Sequence, residues 1–441
     1  MSNKNSIMDF SAQKLFEQLK STKEKLITEK KIMDKKDKHI YPISDIPFSI
    51  PENWEWCYLS DISIIQEGPG IRKHQYENEG VQFLTVTNIL EGAVDLEKSK
   101  KYISNDEYDN KYSHFTINKG DIVTACSGAS WGKSAIFNTN DKLILNTSTL
   151  RLRFYNDLGN NKYLYYLTKT TYFKKNLSSH STGQQPNYGY SHYSKIPIPL
   201  PSIEEQKRIV SILDRAFEAI AKAKTNAEQN LKNTKEFFES YLQGVFENKG
   251  DDWEEKTIGD LGKPSMCKRI LKEQTSASGD IPFYKIGTFG KSPNAFISKE
   301  LYNEYREKYS FPKKGDILIS ASGTIGRRVV YDGRPAFFQD SNIVWIDNDE
   351  KIVLNNYLYF FYGYCDWQPE KGATISRLYN SNLKRIRILF PKSLKEQQQI
   401  VIKINNLSAE AKKLEAIYQQ KTNDLEELKK SVLQKAFKGK L

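Results

Sequence analysis

The sequence predicts an α+β fold: two divergent mixed α/β domains separated by two long helices that form a coiled coil, as a pseudo-twofold internal repeat. Three observations predict it. Short signatures recur in the same order roughly 190–200 residues apart. Each copy ends in a proline-free stretch preceded by a proline, Pro201 or Pro391. Both stretches carry apolar or small residues in a 4-3 pattern.

The repeat can be followed along the chain. Asn53-Trp54-Glu55 through Leu59-Ser60-Asp61-Ile62 matches Asp252-Trp253-Glu254 through Ile258-Gly259-Asp260-Leu261. Lys119-Gly120-Asp121-Ile122 matches Lys314-Gly315-Asp316-Ile317, and Ser127-Gly128 matches Ser322-Gly323. Tyr163-Leu164-Tyr165 matches Tyr357-Leu358-Tyr359, Glu205-Gln206 matches Glu396-Gln397, and Leu242-Gln243 matches Leu433-Gln434. The chain therefore divides into an N-terminal helical segment (1–40), a first α/β domain (41–201), a central long helix (202–250), a second α/β domain (251–391) and a C-terminal long helix (392–441).

Taken in order, the N-terminal segment reads as a helix over about Phe10 to Lys38, with Leu15, Leu19 and Leu26 on one face and lysines elsewhere. Short β-rich runs in the domains include 81–86, 121–125 and 342–346. Helices are predicted over Asn161 to Lys175 and over Asn355 to Tyr364. In the central helix the heptad series places Ile209, Leu213, Ile220, Phe237 and Tyr241 on the seam. In the C-terminal helix it places Ile400, Ile404, Leu407, Leu414, Leu425, Leu428 and Val432 there. The first helix is Ala-rich where the second carries Leu and Tyr, so large-against-small packing pairs the two with each other. Forty-five residues at 1.5 Å each make a rod of roughly 68 Å.

Composition narrows the function classes. The chain has 441 residues, a net charge of +12, and 26 Tyr, 22 Phe and 6 Trp, enough aromatic material for packed cores. Nothing is apolar for long enough to span a membrane, and the N-terminus lacks a signal pattern, so a cytoplasmic location is expected. Cys57, Cys126, Cys267 and Cys365 stand singly and the five histidines all lie in the first half, so neither a disulfide framework nor a metal site is expected. The basic excess sits mainly in segments 1–40 and 392–441, whereas 41–200 holds 16 basic and 16 acidic residues.

Gly128-Ala129-Ser130-Trp131-Gly132-Lys133-Ser134 is one residue shorter than a phosphate-binding loop, and the second copy has Arg327-Arg328 where Lys-Ser would stand. What the copies share is a Gly-turn-Gly loop followed by a cation. No methyltransferase loop, nuclease core or Ser-His-Asp pattern occurs in both halves, and the second half has no His. Duplicated domains with one job point to binding rather than catalysis.

The layout, with the Trp54-Glu55-Trp56, Lys119-Gly120-Asp121-Ile122 and Ile198-Pro199-Leu200-Pro201 to Glu204-Glu205-Gln206 motifs and the Leu428-to-Leu441 tail, resembles the DNA-specificity (S) subunit of type I restriction-modification systems. The resemblance covers about residues 41 to 441. It implies two target recognition domains, each reading one half of a bipartite asymmetric double-stranded DNA target, held apart by a helical spacer. It implies two modification (methyltransferase) subunits on the helices and restriction (translocase/nuclease) subunits outside them, in defence against foreign DNA. S-adenosylmethionine, ATP and Mg would belong to those partners, leaving this chain non-catalytic and without a cofactor. Candidate DNA contacts are Lys133, Arg327 and Arg328, then Arg72, Lys73, Lys268, Arg269, Gln185 and Arg377. The alternatives are the recognition subunit of a type IIB-like restriction system, a coiled-coil adaptor that reads no sequence, and a stand-alone nuclease or NTPase. Two departures stand out: the first copy has Thr182-Gly183-Gln184-Gln185-Pro186-Asn187 where the second reads Gly372-Ala373-Thr374-Ile375, and the N-terminal helix is not shared by all members of the family.

Overall fold

The computed structural model describes residues 11–37, 39, 41, 43, 46, 48–179, 187–248, 250–371 and 376–441. The chain forms two compact units, Met1–Asn226 with Lys421–Leu441, and Ala227–Gln420. Each unit therefore holds one α/β domain, one half of the first long helix and one half of the second.

The two domains share one strand topology. The first has a four-stranded antiparallel sheet in the order Ser63–Glu67, Thr149–Phe154, Ile122–Ala125, Ser134–Ile136. The second repeats it with Gly262–Ser265, Ile343–Asn348, Ile317–Ser320 and Arg328–Val330. Each adds a three-stranded sheet whose last pairing is parallel, Val81–Phe83 with Leu143–Ile144 and Ile281–Tyr284 with Phe337–Phe338. Each closes with an antiparallel ribbon, Glu55–Tyr58 on Pro197–Leu200 and Trp253–Thr257 on Arg387–Pro391. Period-two burial drives these strands: along Thr149–Phe154 the side chains of Leu150, Leu152 and Phe154 are buried while Arg151 and Arg153, on the opposite face, are half-buried.

The shared Lys-Gly-Asp motif forms a turn. Gly120 and Gly315 sit at φ +91° and +96°, in the region that favours glycine. The Asp side chain folds back to accept the backbone N–H three residues earlier, Asn118 at 2.8 Å and Lys313 at 2.7 Å. Asp121 also takes Arg151 and Arg153 at 3.2 and 3.3 Å. The register places Trp345 and Asp347 where those arginines stand, and burial raises the pKa of Asp316.

Local differences from the predicted elements have local causes. The helix expected over Asn161 to Lys175 is two helices, Asn161–Thr168 and Thr171–Ser179. Thr170 separates them, its hydroxyl donating to Leu167 O and accepting from Phe173 N. The strand expected over 81–86 stops at Phe83, because Asn88 Oδ1 accepts from both Thr85 N and Thr85 Oγ1 in a tight turn. The N-terminal helix spans Ala12–Thr28, ending where Lys30 adopts φ +55°.

The long helices run Ile203–Glu247 and Leu394–Ala436. Each is locked to its domain by a buried glutamine in its first turn. Gln206 accepts from Asn160 N at 2.9 Å and donates to Pro201 O at 3.0 Å. Gln397 accepts from Leu354 N at 2.9 Å and donates to Ile352 O and Pro391 O at 2.9 and 2.8 Å. The far end of the other helix packs on the same domain: Leu433, Ala436 and Phe437 join the core of the first, Leu242 and Phe246 that of the second. In the first unit the helices are antiparallel, with Arg208 reaching Leu441 O at 3.1 Å, Lys429 over Phe217 at 5.3 Å and Lys224 on Glu426 at 2.6 Å.

The heptad register holds only along part of each helix. Ile209, Leu213, Ile220 and Ala227 are buried, but Phe237 is 63% exposed, Tyr241 half-buried, and Leu242 and Phe246 take the inner face. In the partner helix Ile404 is buried and Ile400, Leu407, Leu425 and Val432 are half-buried. Leu414 and Leu428 are 40% and 49% exposed, while Leu433, Ala436 and Phe437 are buried. A helix of 3.6 residues per turn drifts about 20° per heptad against a strict 3.5 repeat. Over roughly four heptads that approaches the 100° between neighbouring residues, so the buried face shifts by one position.

Gln206→Leu should leave the Asn160 N–H and the Pro201 carbonyl without their partner, a local cost of about 2 kcal/mol. Hydrogen exchange should show Asn160 losing about 30-fold in protection while Leu354, held by Gln397, is unchanged.

Candidate nucleic-acid interface

Each four-stranded sheet ends in a hairpin carrying the Ser-Gly turn. In the second domain, Gly323 and Gly326 hold φ +66° and +82°, and Gly326 N donates to Ser320 O at 3.1 Å. A Cβ on Gly326 would lie 2.3 Å from Trp367 Nε1, so only glycine fits. Ser322 bridges Arg377, its hydroxyl donates to Asn342 Oδ1 at 2.6 Å, and Leu378 N donates to Ala321 O at 2.9 Å. The first domain repeats the frame: Gly128 and Gly132 at φ +63° and +75°, Ser127 bridging Asn187, and Tyr188 N donating to Cys126 O at 2.9 Å. Trp131 in that turn packs on Tyr188 with ring centroids 5.0 Å apart.

The turn leads into a strand, Ser134–Ile136, rather than a helix. It therefore cannot aim a helix N-terminus at phosphates as an NTP-binding loop does. Among the described residues no group of three or more His, Cys, Asp or Glu could hold a metal, and no helix is long and apolar enough to cross a membrane.

In the second domain a cleft of about 400 Å³ opens beside the turn. Arg269, Lys272, Lys285, Gln339, Asn342 and Arg377 line it, over Phe283. Arg269 Nε donates to Asp340 at 2.9 Å, an exposed pair worth little to stability but one that orients the guanidinium. Arg377 is exposed at the mouth. Two guanidiniums, two ammoniums and two carboxamides, beside the Asp340 carboxylate, supply the donor-rich set that phosphates and base edges require.

The candidates divide on these geometries. Arg269 and Arg377 come together in the cleft; Lys268 does not, its ammonium lying over Tyr309 at 4.8 Å. Arg327 donates to Phe289 O at 2.9 Å. Arg328 stacks over Tyr359 at 4.6 Å and packs against Gly363, with its Nε buried and unpartnered among the described residues. Arg327 and Arg328 fasten the hairpin to its domain instead of presenting free cations. Lys133 is half-buried beside the first domain's turn, and Arg72 and Lys73 are exposed at the start of a short 3-10 turn. Gln185 lies outside the described residues, as do 372–375 in the second copy.

That 3-10 turn reveals a residue missed in the sequence. Gln75 accepts from Arg72 N at 2.9 Å and donates to Tyr112 at 3.1 Å. Gln274 accepts from Leu271 N at 2.8 Å and donates to Tyr305 at 3.3 Å. The counterpart of Lys73 is therefore Lys272, not Lys268 or Arg269. The signal was present: Lys-x-Gln recurs at the same spacing as the Trp-Glu motif.

The fold is shared with known proteins. The family profile described as "Type I restriction modification DNA specificity domain" matches residues 51–231 and 250–426. The putative type I restriction enzyme specificity subunit S.HindORF215P of Haemophilus influenzae is 49% identical over 251 residues, 55% of this chain and 63% of that protein. The MjaVIII specificity subunit of Methanocaldococcus jannaschii is 30% identical over 44% of this chain and 47% of its own length. These matches span less than two thirds of those relatives. The StySPI specificity subunit of Salmonella potsdam is 24% identical over 89% of this chain and 90% of its own. The crystal structure of the HsdS subunit from Thermoanaerobacter tengcongensis shares the fold, with a TM-score of 0.62 and 20% identity over 90% of this chain and all of that one. A chain from a study of type I R-M complex assembly and conformational transition gives 0.70 at 20% identity over the same shares. With its signatures present twice and in order, the chain belongs to the type I restriction-modification DNA-specificity family.

Proposed function

We propose that this chain is the sequence-reading subunit of a type I restriction-modification complex acting in the cytoplasm. Each α/β domain reads one half of a bipartite, asymmetric double-stranded DNA target, and the two long helices set the gap. Methyl transfer and ATP-driven translocation and cleavage belong to partners, two modification subunits on the helices and restriction subunits beyond them. The observation that carries the reading is one recognition frame built twice with different side chains in it. Equal backbones position the readers equally, while different side chains require different half-sites. Exposed Phe237, Leu414 and Leu428 suit the partner subunits.

Arg377 can present two N–H donors to a guanine edge, whereas Lys272 offers a point charge for phosphate. In the assembled complex, Arg377→Ala should relax one position of one half-site, costing about 1–3 kcal/mol of discrimination. Lys272→Gln should weaken binding to every sequence and lower the salt slope by about 1, the methylated sequence staying the same. Sequencing of methylated sites and binding titrations at several salt concentrations read both outcomes; if neither variant changes either readout, the cleft does not meet DNA.

Phe237→Ser should weaken association with the modification subunit by about 2 kcal/mol while leaving the chain's own melting temperature unchanged. Co-purification and titration of the two subunits check this.

A further inference from the structure

The first domain presents a charge problem that the N-terminal segment resolves. Segment 41–200 is electrically balanced, yet in the proposed reading it must hold a polyanion. The helix Ala12–Thr28 packs onto this domain through Leu15, Phe16 and Leu19, and Lys23 pairs with Asp61 at 3.0 Å. Its C-terminus turns sharply, with Lys30 N donating to Ile27 O and Lys31 N to Leu26 O, both at 2.9 Å. The chain that follows is held against the recognition frame. Lys35 lies over Tyr190 at 5.3 Å and Asp37 accepts the Tyr190 hydroxyl. Tyr190 is three residues beyond Asn187, which bridges the Ser-Gly turn at Ser127.

Between this arm and the domain wall runs a groove of about 580 Å³, lined by Lys30, Lys31, Lys36, Glu67, His114 and Arg151 among others. The arm's own acids are occupied locally: Glu29 holds Lys31 at 2.8 Å, Asp34 accepts Lys36 N at 2.8 Å, and Asp37 takes Tyr190. Lys30 and Lys36 are exposed. At the ribbon strand the second domain has Glu255 and Thr257 where the first has Trp56 and Tyr58.

We propose that residues 30–36 form a basic arm, specific to the first domain, that contacts the DNA phosphate backbone beside the half-site this domain reads. The inference rests on the DNA-reading function above. It would supply affinity without sequence information, through the ammonium groups of Lys30 and Lys36.

The test uses the assembled complex with the double variant Lys30→Gln/Lys36→Gln and a duplex carrying the methylated target. Both substitutions are at exposed positions, so folding is spared, unlike truncation of the helix, which would strip buried leucines from the core. Loss of two phosphate contacts should lower the slope of log K against log salt by about 1.8, with the target unchanged. Trimming the duplex outside the first domain's half-site should erase the difference between wild type and variant, whereas trimming the other end should not. An unchanged slope, or a difference erased by trimming only the second end, overturns the arm while leaving the reading function standing. If the wild-type complex shows no preference for the target at all, the reading function itself fails.

Discussion

A buried glutamine side chain at the start of each long helix is the joint on which the rest of this structure depends. Gln206 and Gln397 each accept one backbone N–H from their domain and donate to the carbonyl of the proline before the helix. A carboxamide with several fixed partners in a dry site tolerates little rotation, because any displacement leaves buried groups unpaired. Tyr163 and Tyr357 reinforce the joint by donating to the carbonyls of Pro199 and Leu389 at 2.8 and 3.0 Å. With the helix origin tied to the sheet, the orientation of the recognition frame on its helix is a property of the fold and not of the cleft residues. Those residues are then free to diverge, as Arg269 and Gly70 have done.

The division of labour within each domain follows from this. Residues shared by the two copies are mostly structural: the Gly-Asp turn, the Ser-Gly hairpin, the Lys-x-Gln turn and the buried glutamine. Residues that differ line the cleft or fill the space behind it. Affinity for a polyanion can come from lysines placed almost anywhere along the backbone path, whereas discrimination needs side chains held to within hydrogen-bond distance of base edges. In the proposed reading the second domain carries both within one cleft. The first, with no net charge, draws part of its basic surface from an element outside the repeat.

Much of this architecture was legible in the sequence. The repeat, both long helices and the hairpin loops follow from spacing, proline placement and glycine positions, because those signals act through local geometry. The site was less legible. Arg327 and Arg328 read as exposed cations, yet one meets a carbonyl and the other an aromatic ring and Gly363, contacts made by residues 30 or more positions away. The heptad series places Phe237 on the seam, yet it is 63% exposed, because a helix of 3.6 residues per turn drifts against a strict seven-residue repeat. Lys272 is set apart from its basic neighbours Lys268 and Arg269 not by charge but by its turn, which Gln274 defines.

In the proposed reading two separate readers share one frame. Exchanging residues 251–391 for the corresponding segment of a divergent family member, and sequencing the sites methylated by the assembled complex, tests it most directly. One half of the target should change while the other half and the gap between them are kept. A change in both halves, or in neither, would contradict that reading.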